Sequence, residues 1–249
     1  MQRVLLLGGT TEASELARVV ADAGIAAVYS YAGRTARPAT QPIETRVGGF
    51  GGVDGLARYL QAERITHLID ATHPFAAQMS RNAILACAKA GVRHIALERA
   101  PWSPVSGDDW RHASDIDNAV AALPEARTRI FLAIGRQHLT AFAARPHHHY
   151  LVRLIDAPRE PLPLPDAKAV LARGPFTLDG DLALLRDHAI ALVVAKNAGG
   201  EGARTKLAAA RILGLPVIMI DRPRLPERHV ARSIVQVMRW LGHPVRLDE

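Results

Sequence analysis

The fold is decided by residues 4–24, VLLLGGTTEASELARVVADAG. The four opening apolar residues predict a short buried strand, and two glycines and two threonines then lead into a helical pattern. Thr10 or Thr11 can cap this helix, and Gly24 can end it. Apolar residues recur at the i, i+3, i+4 and i+7 spacing of one buried helix face: Ala13, Leu16, Ala17 and Val20. The stretch therefore predicts a strand, a glycine turn and an amphipathic helix.

The same alternation continues along the chain. Pro74 suits the first position of a helix that runs to about Gly91. A closing helix is predicted from apolar residues that share one face: Val230, Ile234, Val237, Met238 and Leu241. Further strands are predicted in IAAVYSYAG (25–33), PIETRVGGF (42–50), THLIDAT (66–72), VRHIALE (92–98), RIFLAIG (129–135), YLVRLID (150–156), KAVLARG (168–174), ALVVAKN (191–197) and PVIMID (216–221).

Strands that alternate with helices of this length form βαβ units, whose parallel strands are covered by helices on both faces. The predicted fold class is therefore α/β, with two Rossmann-like lobes, parallel sheets and a cleft between them. We expect the first lobe to span residues 1–126 and the second to span 127–249. The segment ERAPWSPVSGDDW (98–110) is interpreted as a long connection, and DIDNAVAAL (115–123) as a helix of the first lobe.

Composition narrows the choice of partner. The chain has 249 residues, 49% of them hydrophobic, and a net charge of +7, which favours nucleic acid, a membrane surface or a polyanionic small molecule. Its arginines are scattered and aromatic residues make up only 5%, so a base-stacking surface is disfavoured. We expect no nucleic-acid partner. The sequence gives no indication of the oligomeric state.

The location of the protein is predicted from its cysteine and its N-terminus. The single cysteine, Cys87, excludes an internal disulfide, and its apolar neighbours indicate a packed thiol in a reducing compartment. The N-terminal apolar run has no basic region before it and is broken by Gly8, so we expect neither a signal peptide nor a membrane span. A cytoplasmic protein is the expectation.

The glycine turn at 8–13 resembles a dinucleotide-binding fingerprint only in part. The pattern G-x-G-x-x-G lets backbone N–H groups approach a pyrophosphate at a helix N-terminus. Here Gly8 matches, Thr10 stands at the second glycine position and Ala13 at the third. The threonine hydroxyls can supply further hydrogen bonds, so the candidate cofactor-binding residues are Gly8, Gly9, Thr10, Thr11 and Glu12. The alternative is a plain strand-to-helix turn without a ligand.

The end of the second predicted strand points to the cofactor. An acidic residue about 20 positions past the glycines bonds the ribose of NAD, whereas an arginine accommodates the extra phosphate of NADP. The segment YAGRTARP offers Arg34 and Thr35 and no acid. This favours NADPH over NADH, with a solvated arginine in a polar loop as the alternative.

A polar cluster follows the strand in IDATHPFAAQMSRNA (69–83). Asp70, Thr72 and His73 lie at its carboxyl end, the edge where open α/β sheets bind ligands. We assign Thr72 to the cofactor, Asp70 to the substrate and His73 to catalysis, as a hydrogen-bond or proton donor. A histidine that only caps a helix is the alternative.

The second lobe carries another glycine-rich turn, VVAKNAGGEGARTK (193–206). Its glycines and lysines suit an anion, although the Walker spacing is absent. A plain connection is again the alternative. The candidate substrate-binding residues are Arg136, Lys196, Asn197, Gly199, Gly200 and Lys206, of which Lys196 is also a catalytic candidate. The run HHH at 147–149 lacks accompanying ligands at metal-site spacing, so we expect an exposed histidine run and no metal.

Taken in order, six segments resemble the precorrin-6A reductase family of cobalamin biosynthesis: LLLGGTTEASELA, YAGRT, IDATHPFAAQMSRNA, AIGRQHL, LARGPFT and VVAKNAGGEGARTKLAAARILGLPVIMIDRP. They cover almost the whole chain, and THPFA and KNAGG are the most specific. Ala198 departs from the serine that is commoner in the family, which removes a hydroxyl.

The resemblance implies an oxidoreductase that reduces one carbon–carbon double bond of precorrin-6A, near ring D, to give precorrin-6B with NADPH as hydride donor. The first lobe would bind NADPH and the second the substrate. The many carboxylates of a tetrapyrrole would account for the basic charge. Three alternatives stay open: a cobalt-containing macrocycle as substrate, a short-chain dehydrogenase or epimerase, and a non-catalytic nucleotide-binding module. The dehydrogenase is disfavoured because none of the 4 tyrosines is followed by lysine at the fourth position.

Overall fold

The computed structural model describes residues 1–33, 39–158 and 160–243. Within these ranges the strands are β1 (Val4–Leu7), β2 (Ala27–Tyr31), β3 (Glu44–Val47), β4 (His67–Asp70), β5 (Arg93–Leu97), β6 (Trp110–Ala113), β7 (Arg129–Ala133), β8 (His149–Leu154), β9 (Ala167–Leu171), β10 (Leu192–Lys196), β11 (Val217–Ile220) and β12 (Val230–Ala231). The helices are α1 (Thr11–Asp22), α2 (Gly52–Ala62), α3 (Ala77–Ala90), α4 (Ile116–Ala121), α5 (Leu178–Asp187), α6 (Thr205–Ile212) and α7 (Ile234–Trp240), and Arg136–Ala144 form a 3₁₀ segment.

The chain forms two compact units. Unit 1 comprises Met1–Arg99 and residues 224–243, and unit 2 comprises Ala100–Pro223. Each unit contains a six-stranded sheet, with order β12-β5-β4-β1-β2-β3 in unit 1 and β6-β11-β10-β7-β8-β9 in unit 2. Neighbouring strands are parallel in both. This confirms the prediction of an α/β fold with two Rossmann-like lobes.

Helices cover both faces of the unit 1 sheet. On one face, Leu6 and Tyr29 pack with Leu16 of α1 and Val237 of α7. On the other, Leu5, Leu7 and Leu68 pack with buried residues of α2 and α3. In unit 2, Phe131 and Val193 pack with Leu185 of α5 and Leu207 of α6. The predicted buried face of α1 is confirmed, since Ala13, Leu16, Ala17 and Val20 are all buried.

The structure divides the chain elsewhere than between residues 126 and 127. Strand β6 follows β5 along the chain but pairs with β11 in unit 2, and α4 belongs to the same unit. Strand β12 pairs with β5 in unit 1, and α7 packs there against α1. Each sheet thus has one edge strand, β12 or β6, from a segment that the sequence pattern did not predict as a strand.

Two predicted helix boundaries are wrong. Val230 lies in β12, and α7 begins only at Ile234, where Ser233 accepts a hydrogen bond from the Gln236 N–H. Pro74 precedes α3 by a turn, which is closed by a 2.7 Å hydrogen bond from the Ala76 N–H to the His73 carbonyl. The predicted end of α3 at Gly91 is confirmed, with φ of 67°.

No helix in the described parts of the chain is long and apolar enough to cross a membrane. Cys87 is a buried free thiol on α3, as its neighbours predict. Burial, with a smaller contribution from the Asp70 carboxylate, raises the pKa of this thiol to about 12. The thiol is therefore a packing group and unsuited to act as a nucleophile.

Candidate functional site

The glycine turn of unit 1 is built against Tyr29 of β2. The Gly9 N–H donates to the Tyr29 hydroxyl at 2.9 Å, and the Gly8 N–H donates to the Ser30 carbonyl at 3.0 Å. A Cβ at Gly8 would lie 2.0 Å from the Tyr29 ring, and Gly9 has φ of 113°. Both glycines are therefore required, one by the close ring and the other by its backbone conformation.

Thr10 explains why the second glycine of the fingerprint is missing. Its φ of −120° is an extended conformation that any residue adopts. Its hydroxyl accepts from the Ala13 N–H at 3.1 Å and donates to the Ala71 carbonyl at 2.8 Å. The side chain thus caps α1 and joins the ends of β1 and β4. Because the hydroxyl hydrogen is used in this way, any contact of Thr10 with a phosphate would come from its backbone.

The N-terminus of α1 combines open N–H groups with a neutralised carboxylate. Helix geometry leaves the Thr11 and Glu12 N–H groups without intrahelical acceptors, at the positive end of the helix dipole. The Glu12 carboxylate is held by Arg99, whose Nη1 donates to both oxygens at 3.0 and 2.8 Å. Arg99 therefore removes the repulsion that Glu12 would exert on an anion at this helix end. Arg99 was missed by the sequence reasoning because it lies in a loop distant from the motif.

The carboxyl end of β4 lies beside this turn, because Leu7 is paired in register with Asp70. Asp70 is buried, and its Oδ1 accepts from the Thr72 N–H at 3.1 Å and from the Thr72 hydroxyl at 2.7 Å. His73 is exposed, and its Nδ1 accepts from the Phe75 N–H at 3.2 Å. This assigns the proton of the neutral imidazole to Nε2. Small pockets at this edge are lined by Thr10, Glu12, Thr72, Pro74, Leu97, Glu98 and Arg99, and by Asp70, His73, Ser80 and Arg228 with neighbouring residues.

Beside the end of β2 lies a cation of β3 that the sequence reasoning did not single out. Arg34 and Thr35, the predicted NADPH determinants, lie outside the described residues. Arg46 of β3 pairs in register with Ser30, and its Nη1 donates to the Ser30 hydroxyl at 2.7 Å. The sequence marks Arg46 only by its position near the end of a predicted strand, shortly before Gly48 and Gly49.

The glycine turn of unit 2 holds a segment of its own unit. The Asn197 side chain accepts from the Trp102 N–H at 2.8 Å and donates to the Trp102 carbonyl at 3.0 Å. The Gly200 carbonyl accepts from the Trp102 indole at 2.7 Å. A Cβ at Gly199 would lie 2.1 Å from the Ala100 carbonyl oxygen. The polar groups of this turn therefore position residues 100–102.

The predicted basic residues of unit 2 differ in exposure. Lys206 is buried, donates to the Ala203 carbonyl and lies 4.7 Å from the centre of the Trp102 ring. Arg136 is exposed just after β7, and half-buried Lys196 ends β10. Because β7 and β10 are parallel neighbours, Arg136 and Lys196 lie at the same edge of the sheet.

The histidine run is not exposed as expected. His148 is fully buried, and its Nδ1 accepts from the Thr128 N–H at 3.1 Å. Burial and the neighbouring His147 and Arg145 lower the pKa of His148. His149 pairs with Asp166, with 2.7 Å between Nδ1 and Oδ1. Across the described ranges, no group of three or more histidine, cysteine or acidic side chains is arranged to hold a metal ion.

Two parallel sheets and a glycine turn that opens onto a helix N-terminus define a protein of the Rossmann-like α/β class. Comparison with known proteins defines the family more closely. The model of the family described as Precorrin-6x reductase CbiJ/CobK matches residues 3–242. The chain belongs to this family and is a reductase, which confirms the resemblance found in the sequence.

Three known relatives and one solved structure match over nearly their full lengths. A protein of Rhodobacter capsulatus named precorrin-6A reductase is 62% identical, over 97% of this chain and 96% of its own. One of Mycobacterium tuberculosis with the same name is 42% identical, over 99% and 100%. A cobalt-precorrin-6A reductase of Priestia megaterium is 30% identical, over 98% and 99%. A solved structure described as CobK precorrin-6A reductase matches with a TM-score of 0.93 and 62% identity, over 97% of this chain and 96% of its own.

Proposed function

We propose that this protein reduces one carbon–carbon double bond of precorrin-6A to give precorrin-6B in cobalamin biosynthesis. The observation that carries the proposal is the 62% identity to the Rhodobacter capsulatus relative over 97% of the chain. The metal-free substrate is favoured because relatives named precorrin-6A reductase reach 62% and 42% identity, against 30% for the cobalt-precorrin relative from Priestia megaterium.

NADPH is the proposed cofactor, bound by unit 1 at the turn after β1. The fit rests on this chain's own groups: the open N–H groups of Thr11 and Glu12, the pairing of Glu12 with Arg99, and the space at Gly9, where a built Cβ meets no described residue other than its chain neighbours within 4 Å. When bound, NADPH supplies the hydride for the reduction. Thr72, at the end of β4, borders the same pocket as Thr10 and Glu12 and is proposed to contact the cofactor.

Unit 2 is the proposed substrate-binding unit. A tetrapyrrole with many carboxylates suits a protein of net charge +7, and Arg136 and Lys196 lie at one edge of its sheet. Asn197, Gly199, Gly200 and Lys206 would contribute by fixing the shape of the neighbouring turn. Asp70, in unit 1, is proposed to act through its hydrogen bonds to Thr72.

Hydride adds to one carbon of the double bond, and a proton must reach the other carbon. His73 or Lys196 is the proposed donor of this proton. In the neutral ring the His73 Nδ1 accepts the Phe75 N–H, which leaves Nε2 as the ring nitrogen through which a proton would pass to the substrate. Loss of a general acid lowers kcat by roughly 100-fold or more with little change in KM. His73→Gln and Lys196→Met, each measured for kcat and KM, assign the donor by which variant shows this pattern. If neither does, solvent or a substrate carboxylate supplies the proton.

The activity is tested by mixing purified protein, NADPH and precorrin-6A. The expected result is a change in the absorption spectrum of the pigment together with loss of reduced nicotinamide. Cobalt-precorrin-6A and NADH serve as matched alternatives. Faster turnover of the cobalt compound would reassign the substrate. Tight NADPH binding without turnover of either pigment, or salt-sensitive retention on DNA, would favour a non-catalytic module.

The choice of NADPH over NADH is tested at Arg34. Because an arginine after the second strand suits the extra phosphate, Arg34→Ala should raise the KM for NADPH far more than that for NADH. Equal increases would contradict the assignment. The proposed location is the cytoplasm, since the single cysteine is a free buried thiol that fits a reducing compartment.

A further inference from the structure

We propose that Arg46 is a specificity-determining residue that binds the 2′-phosphate of the dinucleotide. This inference rests on the proposed use of NADPH. Arg46 lies on β3, outside the glycine turn at residues 8–13 that resembles the dinucleotide-binding fingerprint.

The first argument is position. Ser30 lies at the carboxyl end of β2, opposite Leu7 in the parallel register, and its carbonyl accepts the Gly8 N–H at 3.0 Å. Arg46 is paired with Ser30 on the other side. In Rossmann folds the adenosine ribose is read at the end of the second strand, about 20 residues beyond the glycines. Arg46 therefore stands next to the residue that occupies the ribose-reading position.

The second argument is the side chain found at that position. NAD-specific folds place a carboxylate there to bond the ribose hydroxyls. Here Ser30 is buried and its hydroxyl is in contact with the Arg46 guanidinium at 2.7 Å. A carboxylate in place of Ser30 would neutralise Arg46, whereas the serine hydroxyl leaves its charge intact.

The third argument is how the guanidinium is held. Its Nη1 donates to the Gly48 carbonyl at 3.0 Å and its Nη2 to the Gly49 carbonyl at 3.2 Å. Its Cζ lies 3.9 Å from the centre of the Phe50 ring and 5.1 Å from that of Tyr59. A cation fixed by carbonyls and aromatic faces loses little further freedom when it binds a ligand.

The fourth argument is the charge that remains. In the part of the chain that the structure describes, no carboxylate lies within ion-pair distance of Arg46, unlike Arg99, which Glu12 neutralises at 2.8 Å. Its Nε–H and one Nη2–H also have no acceptor among those residues. Adjacent donors on one guanidinium match two oxygens of a phosphate. Among the described residues, Arg46 thus has a fixed positive charge without a carboxylate partner, and N–H donors that can still bind a phosphate.

The competing interpretation is that Arg46 only braces the loop Gly48–Gly49. The two roles are separated by probes that differ in one phosphate: 2′,5′-ADP and 5′-ADP, with binding measured by calorimetry on the full chain. The variants are Arg46→Gln, Arg46→Lys and, as a matched control for lost charge, exposed Arg58→Gln of α2. Thermal unfolding is recorded for each.

The wild type should prefer 2′,5′-ADP, and Arg46→Gln should reduce that preference about 10-fold or more while 5′-ADP binding stays nearly constant. Arg46→Lys should keep part of the preference and Arg58→Gln all of it. Equal weakening of both probes by Arg46→Gln would assign Arg46 to loop bracing and overturn the inference. So would an unchanged preference. If the wild type itself shows no preference, the proposed cofactor fails, and the inference with it.

Discussion

The two glycine turns of the molecule look alike in sequence and differ in what they hold. Each follows a buried parallel strand and leads toward a helix. The turn after β1 packs on Tyr29 and opens directly onto the first N–H groups of α1. The turn after β10 is separated from α6 by several residues, and Asn197 within it binds both backbone groups of Trp102.

The difference lies in what surrounds the glycines of the two turns. Among the described residues, only the chain neighbours of Gly9 lie within 4 Å of a Cβ built there, whereas a Cβ at Gly199 would meet the Ala100 backbone. In the first turn, helix geometry leaves the Thr11 and Glu12 N–H groups without intrahelical acceptors, while in the second the Asn197 side chain and the Gly200 carbonyl bond to Trp102. We therefore expect substitution of Gly199 to affect folding more strongly than substitution of Gly9.

The largest effect is expected for Gly199→Ala. The position has φ of 69°, and the new Cβ would lie 2.1 Å from a backbone oxygen. Strain and overlap together should lower the free energy of unfolding by about 3 kcal/mol or more. At the control Gly214→Ala φ is 62°, but in the described part of the chain only the chain neighbours lie within 4 Å of the new Cβ. It should cost only about 1 kcal/mol in urea unfolding, and equal losses would contradict the close approach to Ala100.

Asn197→Ala should have the next largest effect. It leaves the buried N–H and carbonyl of Trp102 without the partners they have at 2.8 and 3.0 Å. Two unsatisfied buried groups should lower the free energy of unfolding by about 2–3 kcal/mol. Asn82→Ala, which removes an acceptor of the exposed Gln78 amide at 2.8 Å, should change it by less than about 0.5 kcal/mol. Similar urea midpoints for the two variants would show that the Asn197 contacts contribute little.

Much of the fold could be predicted from the sequence, because its signals are local. The buried face of α1, its Thr10 cap and the strands around it follow from spacing and residue type within one stretch. Strands β6 and β12 could not be predicted this way, since WRHA and VA carry no apolar pattern and are defined by pairing with distant strands. For the same reason, the boundary predicted after residue 126 differs from the boundaries of the two units, which lie after Arg99 and Pro223.

The candidate site was predictable only in its local part. The glycines and the residues after β4 stand out as motifs, but their partners do not. Trp102 is 95 residues from Asn197, and Arg99 is 87 residues from Glu12. Arg46 reaches Ser30 only because two strands pair. Contacts of this kind depend on the tertiary fold, so no pattern within either segment indicates them.

The first turn should respond to alkaline pH through Tyr29. Burial is the main cause that raises the pKa of this phenol above its ordinary value of 10.0. The folded state therefore holds the proton more tightly, and this stabilisation is complete below pH 10 and lost as the pH rises further. Tyr29→Phe should be less stable by about 1.5 kcal/mol at neutral pH, because the Gly9 N–H loses its acceptor.

The difference between wild type and Tyr29→Phe should then narrow above about pH 10, as the wild type alone loses stability from this group. Urea midpoints of both proteins from neutral to alkaline pH provide the measurement. A difference that stays constant over the whole range would contradict the assignment. The second turn rests on Trp102, which does not titrate, so Asn197→Ala should show no such narrowing.

The smallest effect is expected for the cap of the first turn. Thr10→Ala removes both the cap at 3.1 Å and the bond to the Ala71 carbonyl at 2.8 Å, and should lower the free energy of unfolding by about 1 kcal/mol. Thr10→Ser keeps both hydrogen bonds and should change the free energy of unfolding by only a few tenths of a kcal/mol. Thr177 caps α5 in unit 2 through the Gly180 N–H at 3.1 Å. Thr177→Ala should therefore cost less than Thr10→Ala, and an equal cost in urea unfolding would mean that the link from β1 to β4 adds no stability.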